Sequence, residues 1–117
     1  MEDTKLEFKV DKTGDVTIVT IPGDNLDTSN AGQFKTSIAP IIDVNKKVAF
    51  DLTNLEFVDS SGLGAILSCL RLLNHSGGDL KLCQMQKPVR VLFELVRMHR
   101  VFDIYESRED AVTAFAD

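Results

Sequence analysis

After an opening pair of strand-like runs, each further strand-like run in this chain is followed by a helical pattern, and that alternation leaves few folds open. Leu6, Phe8 and Val10 alternate with polar residues, as a half-buried strand does. Asp11-Lys12-Thr13-Gly14-Asp15 is a turn signal, and residues 16–21 (Val-Thr-Ile-Val-Thr-Ile) are almost all β-branched, so the two runs predict an antiparallel hairpin. Pro22-Gly23-Asp24-Asn25 breaks the pattern. A helix is expected from Thr28 or Ser29 to about Ile42, with Ala31, Phe34, Ile38, Ile41 and Ile42 apolar and Pro40 disturbing its last turn. Strand-like runs follow at 48–52, 80–83 and 101–105, and helical patterns at 60–75, from about Pro88, and after Ser107. Gly77-Gly78 supplies a left-handed exit for the second helix, Pro88 suits a first helical turn, and Ser107 a cap. The order β-β-α-β-α-β-α-β-α predicts an α/β domain. Its sheet is mixed but mainly parallel, of about five strands, with about four helices supplying the crossovers. With 117 residues and no linker or repeat, residues 1–117 form a single domain.

Charge and composition exclude several functions. The net charge of −5 and pI of about 4.9 argue against nucleic acid or an anionic membrane as partner. No apolar run approaches the ~20 residues that span a bilayer, so direct membrane insertion is not expected. Met1-Glu2-Asp3-Thr4-Lys5 is polar and acidic, unlike a signal peptide, and the expected location is cytoplasmic. Cys69 and Cys83 lie in different elements and form no C-x-x-C pair. They are expected to be buried, reduced thiols, with no metal site and no cofactor.

The junction between the third strand and the second helix carries the chemistry: Val58-Asp59-Ser60-Ser61-Gly62-Leu63-Gly64. On spacing alone the serine pair is expected to cap the helix, with Asp59 as a competing cap. Two serines and an aspartate exceed what one helix end needs. A phosphate on Ser60 would change the local charge abruptly. Gly62, Leu63 and Gly64 would let another protein approach closely. No catalytic residues are expected: the segment is not G-x-S-x-G, nothing marks His75 or His99 as a base, and no lysine follows the glycines to make a phosphate cradle. On the helix, Leu63, Ile66, Leu67, Leu70 and Leu73 form the face expected to meet the sheet. Ala65, Cys69 and Leu72 widen the apolar arc, to be covered by a neighbouring helix or by another protein. Asp27 sits at the preceding strand-to-helix junction, where an N-cap is the simplest role. In a parallel sheet, Asp27 and Ser60 both fall past the carboxyl ends of strands. Asp24, Asp27 and Asp59 are therefore expected to surround Ser60.

The run Asp51-Leu52-Thr53 followed by Phe57-Val58-Asp59-Ser60-Ser61-Gly62-Leu63-Gly64 resembles the signature of STAS domains, and more narrowly of bacterial anti-sigma factor antagonists. The likeness extends over nearly the whole chain. It implies a phosphorylation-controlled binding module in which the unphosphorylated form binds an anti-sigma factor that is also a serine kinase. The resemblance makes Ser60 the phosphoacceptor, with Asp27, Asp59 and Ser61 supporting it and Gly62, Leu63 and Gly64 meeting the partner. A metal-dependent serine/threonine phosphatase would restore the binding form. Two departures stand out: the Gly23-to-Asp27 spacing is one residue longer than the family's Gly-x-Leu-Asp, and Arg97 replaces a frequent glycine near the end of the third helix. A STAS subunit of a stress-signalling or lipid-transport complex, with no phosphoswitch, is the nearest alternative. A small nucleotide-binding domain is the alternative of another class.

Overall fold

The computed structural model describes residues 6–116, so the expectation about Met1 to Lys5 lies outside the described residues. Strands β1 (Lys9–Thr13) and β2 (Val16–Thr20) form the expected hairpin, turned by Gly14 and Asp15, with Gly14 at φ +61°. Helix α1 spans Ala31–Asp43, β4 Lys47–Asp51, α2 Ser60–His75, β6 Asp79–Cys83, α3 Lys87–Leu95, β7 Asp103–Tyr105 and α4 Arg108–Ala116. The main sheet runs β1-β2-β4-β6-β7, with only the β1–β2 pair antiparallel. Two further strands, β3 (Asn25–Leu26) and β5 (Phe57–Val58), pair in parallel as a separate small sheet.

Alternation along the central strands sorts side chains onto two covered faces. Val19, Val48, Phe50, Leu80 and Leu82 pack with α1, α2 and α3, while Ile18, Ala49 and Cys83 meet Ala111 of α4 on the other face. Phe34 of α1 is fully buried and stands edge-on to Phe50 at 6.0 Å and to Phe8 at 5.9 Å. Arg108, which opens α4, bridges three strands on that second face. Its guanidinium donates to Asp51 Oδ2 (2.6 Å), Asp11 Oδ2 (3.0 Å) and Thr20 Oγ1 (2.8 Å).

Several boundaries and faces differ from the sequence expectation. Residues 6–8 are not strand: the Leu6 N–H donates to Ser37 Oγ of α1, so the chain crosses that helix before joining the sheet. Helix α1 starts at Ala31, later than Thr28 or Ser29, because side chains of Asp27 and Asn30 hold residues 27–30 in a turn. It continues past Pro40 to Asp43. The buried face of α2 is rotated toward Ala65, Ile66, Cys69, Leu70 and Leu73, leaving Leu63 and Leu67 half-buried, because α1 lies alongside. That neighbour accounts for Ala65 and Cys69 on the wide apolar arc but leaves Leu72 exposed. Both cysteines are unpaired and buried, and burial pushes their thiols up to about 12, far from nucleophilic at neutral pH. The exit of α2 is as expected: Gly77 takes φ +89°, the Gly78 N–H reaches Leu73 O and the Gly77 N–H reaches Asn74 O.

Candidate functional site

The small β3–β5 ladder brings the two strand-to-helix junctions together. Leu26 pairs with Val58, so Asp27 and Asp59 emerge side by side, one heading for α1 and the other starting α2. Asp24 lies at the opposite end of this ladder, where its carbonyl accepts from the Glu56 and Phe57 N–H groups. It therefore does not join the cluster around Ser60, contrary to the sequence expectation.

Asp59 caps α2, and the serines do not. Its extended backbone places Oδ1 2.9 Å from the Gly62 N–H, as an N-cap requires. Its other oxygen accepts from the Thr28 N–H and hydroxyl, both at 3.1 Å, tying the turn before α1 to the start of α2. Ser60 and Ser61 are instead the first two helical residues. An aspartate one position earlier already fills the capping geometry, which is why neither hydroxyl is needed for it. The Ser61 hydroxyl lies 3.1 Å from Thr28 Oγ1. The Ser60 side chain is exposed and has no hydrogen-bond partner among the described residues.

Asp27 is fixed by its own turn. Oδ1 accepts from the Ser29 hydroxyl (2.6 Å) and N–H (2.9 Å), and Oδ2 from Asn25 Nδ2 (2.8 Å). Its N–H donates to Asn30 Oδ1, and Asn30, not Asp27, is the last residue before α1. Sequence reading missed Thr28 and Asn30, the residues that join and shape the two junctions. Their signal was the Asp-Thr-Ser-Asn run, a dense cluster of turn-forming side chains.

Both carboxyls are held below the ordinary aspartate range. For Asp27 the main cause is the Ser29 hydroxyl, and for Asp59 it is the Gly62 N–H. Such groups stabilise the fold above an unfolded pKa near about 3.9, and that contribution is lost as pH falls through their lower folded values. Asp59→Asn is therefore expected to lower the urea midpoint at pH 6, and to lower it by less at pH 3, where the contribution is already being lost. Paired urea titrations at the two pH values check this, and a gap that does not narrow in acid would contradict it.

The glycines have separate tasks. Gly62 is buried, and a Cβ there would sit 2.0 Å from the Leu26 carbonyl oxygen, so α2 starts in contact with the β3 backbone. Its role is internal, which leaves half-buried Leu63 and exposed Gly64 as the accessible part of the Gly-Leu-Gly run. Gly62→Ala is expected to cost about 2–3 kcal/mol, because backbone, not a side-chain tip, must move. Gly64→Ala meets nothing within 4 Å, and is expected to add about 0.5–1 kcal/mol of stability through helix propensity. Denaturant unfolding of both variants checks the pair.

The site is thus an exposed serine in the first turn of a helix, next to Asp59 and near the junction that holds Asp27, on a small doubly covered α/β domain. The chain belongs to the STAS domain family, whose pattern matches residues 7–111. It is 36% identical over 56% of its length to the anti-sigma F factor antagonist of Paenibacillus polymyxa, the match spanning 56% of that protein too. It is 30% identical to a candidate anti-sigma factor antagonist of Bordetella bronchiseptica, BtrV, over 94% of this chain and 95% of that one. The crystal structure of a candidate anti-sigma factor antagonist from Thermotoga maritima superposes with a TM-score of 0.85 at 26% identity, covering 94% of this chain and 95% of that one. Among the described residues no helix is long and apolar enough to cross a membrane.

Proposed function

We propose that this protein is an anti-sigma factor antagonist controlled by phosphorylation of Ser60. Unphosphorylated, it binds an anti-sigma factor that is also a serine kinase, and so frees a sigma factor in the cytoplasm. The kinase then modifies Ser60 and the complex separates. A metal-dependent serine/threonine phosphatase returns the protein to its binding form. The names of relatives along most of the chain support the class of partner. The observation that carries the choice of residue is the division of labour at the start of α2: Asp59 caps, Ser61 is engaged with Thr28, and the Ser60 hydroxyl is exposed with no hydrogen-bond partner among the described residues.

The helix N-terminus partly accommodates a phosphate of about −1.5 to −2 charges, so modification need not unfold the domain. Asp27 and Asp59 keep the surface acidic and the backbone rigid, presenting the serine without competing for its hydroxyl. The test is incubation with the purified anti-sigma factor kinase and ATP, followed by site mapping by mass spectrometry. Phosphate is expected on Ser60 in wild type and in Ser61→Ala, and nowhere in Ser60→Ala. Modification of Ser61 alone would overturn the assignment.

A further inference from the structure

We propose that the apolar groove between β5 and α3 is a second contact for the same partner, receiving an acidic amphipathic helix of the anti-sigma protein; this rests on the function proposed above. Pro88, Val91, Leu92 and Leu95 follow the i, i+3, i+4, i+7 spacing of one helix face, and with Phe57, Val58 and the exposed Glu56 at one edge they line the groove. Phe57 is 54% exposed, Val91 44% and Leu95 75%, whereas the other large apolar residues of α3 that face inward, Val89 and Phe93, are fully buried. The groove holds about 230 Å³, room for one or two large side chains but not for a nucleotide.

Two observations choose the occupant. The first is position. Phe57 and Ser60 are three residues apart, so they are separated by at most about 11 Å. A standard protein interface covers about 800 Å² per partner, a patch of roughly 16 Å radius. A partner seated over Ser60 therefore has the groove within its footprint. The second is charge. Residues 87–101 carry Lys87, Arg90, Arg97 and Arg100 against a single acid, Glu94, in a chain of net charge −5. Lys87, Arg97 and Arg100 are exposed and form no ion pair among the described residues. Arg97 is held at φ +63° directly after exposed Val96, at the end of α3. Three unpaired cations on and just after α3, against Glu56 in the lining and Glu94 on the helix, leave this segment net basic and complement a helix with one apolar stripe and acidic flanks.

The experiment uses the full chain and the purified anti-sigma protein that it binds. A photo-crosslinking phenylalanine analogue is placed at position 95, at 64 beside the serine, or at 44, where Val44 is exposed at the far end of α1. Affinity is measured in parallel for Val91→Ser/Leu95→Ser and for Val44→Ser. The expected result is crosslinking from 95 to an acidic helix of the partner, and at least a tenfold loss of affinity in the double variant alone, with unchanged unfolding temperature. Crosslinking from 64 but not 95, with full affinity in the double variant, would overturn the groove and leave the Ser60 reading standing. Crosslinks from 95 to another copy of this chain, or groove-dependent binding to phosphatidylglycerol vesicles, would overturn it in favour of a dimer or a lipid surface. No binding by the wild-type chain would overturn both readings.

Discussion

Ser60→Asp is expected to lower affinity for the anti-sigma partner about 100-fold or more, while Ser60→Ala binds within about threefold of wild type; a 100-fold change corresponds to about 2.7 kcal/mol. The asymmetry follows from what each substitution does to a surface that must be desolvated. Alanine removes a hydroxyl that makes no hydrogen bond among the described residues, so the folded state loses nothing it was using there. Aspartate puts a second carboxylate next to Asp59, whose own oxygens are already committed to Gly62 and Thr28. Free in solution, the added charge is hydrated and partly favoured by the helix N-terminus, worth about 0.3–1 kcal/mol. Under a partner it must lose that water, and an unpaired buried charge costs several kcal/mol. Titration calorimetry with both variants checks the prediction, alongside thermal unfolding to show that both are folded. Equal affinities for the two would rule out a charge switch at this position.

The alternating pattern made the fold legible because both faces of the parallel strands are covered. Central strands then read as short apolar runs, and helices as wider amphipathic ones. The site was legible where it depends on local chemistry: Asp59, Ser60 and Ser61 stand in one continuous segment. It was obscure where it depends on two-residue strands. Asn25–Leu26 and Phe57–Val58 are too short to show a period, yet their pairing decides that Asp27 joins Asp59 and that Asp24 does not. The cap is ambiguous in the sequence for a related reason. Asp, Ser and Ser are all good caps, and the contacts that single out Asp59 include Thr28, whose N–H and hydroxyl hold its second oxygen from 31 residues away in sequence. The Arg108 bridge left no local signal, since Asp11, Thr20 and Asp51 are far from it in sequence.

Arg108→Met is expected to destabilise the domain by about 3–4 kcal/mol, a large share of the roughly 5–15 kcal/mol that holds a domain of this kind together. Asp51 explains the size. Its side chain is 3% exposed, and the 2.6 Å contact from Arg108 is the ion pair that offsets its burial. The Thr53 N–H at 2.9 Å would remain, satisfying one oxygen and stranding the other. Removing both charges avoids that penalty, so Arg108→Met/Asp51→Asn is expected to recover about half or more of the loss. Urea unfolding of the two single variants and the double variant measures the coupling directly. A purely additive result would mean that Arg108 acts through packing on the sheet and not through the carboxylate. The same variants separate stability from function. Arg108 and Asp51 lie on the α4 face, and the sheet stands between them and α2. At a temperature where all variants are folded, affinity for the partner should therefore stay at the wild-type value. A loss of binding there would show that the two faces are coupled, with α4 able to bias the helix that presents Ser60.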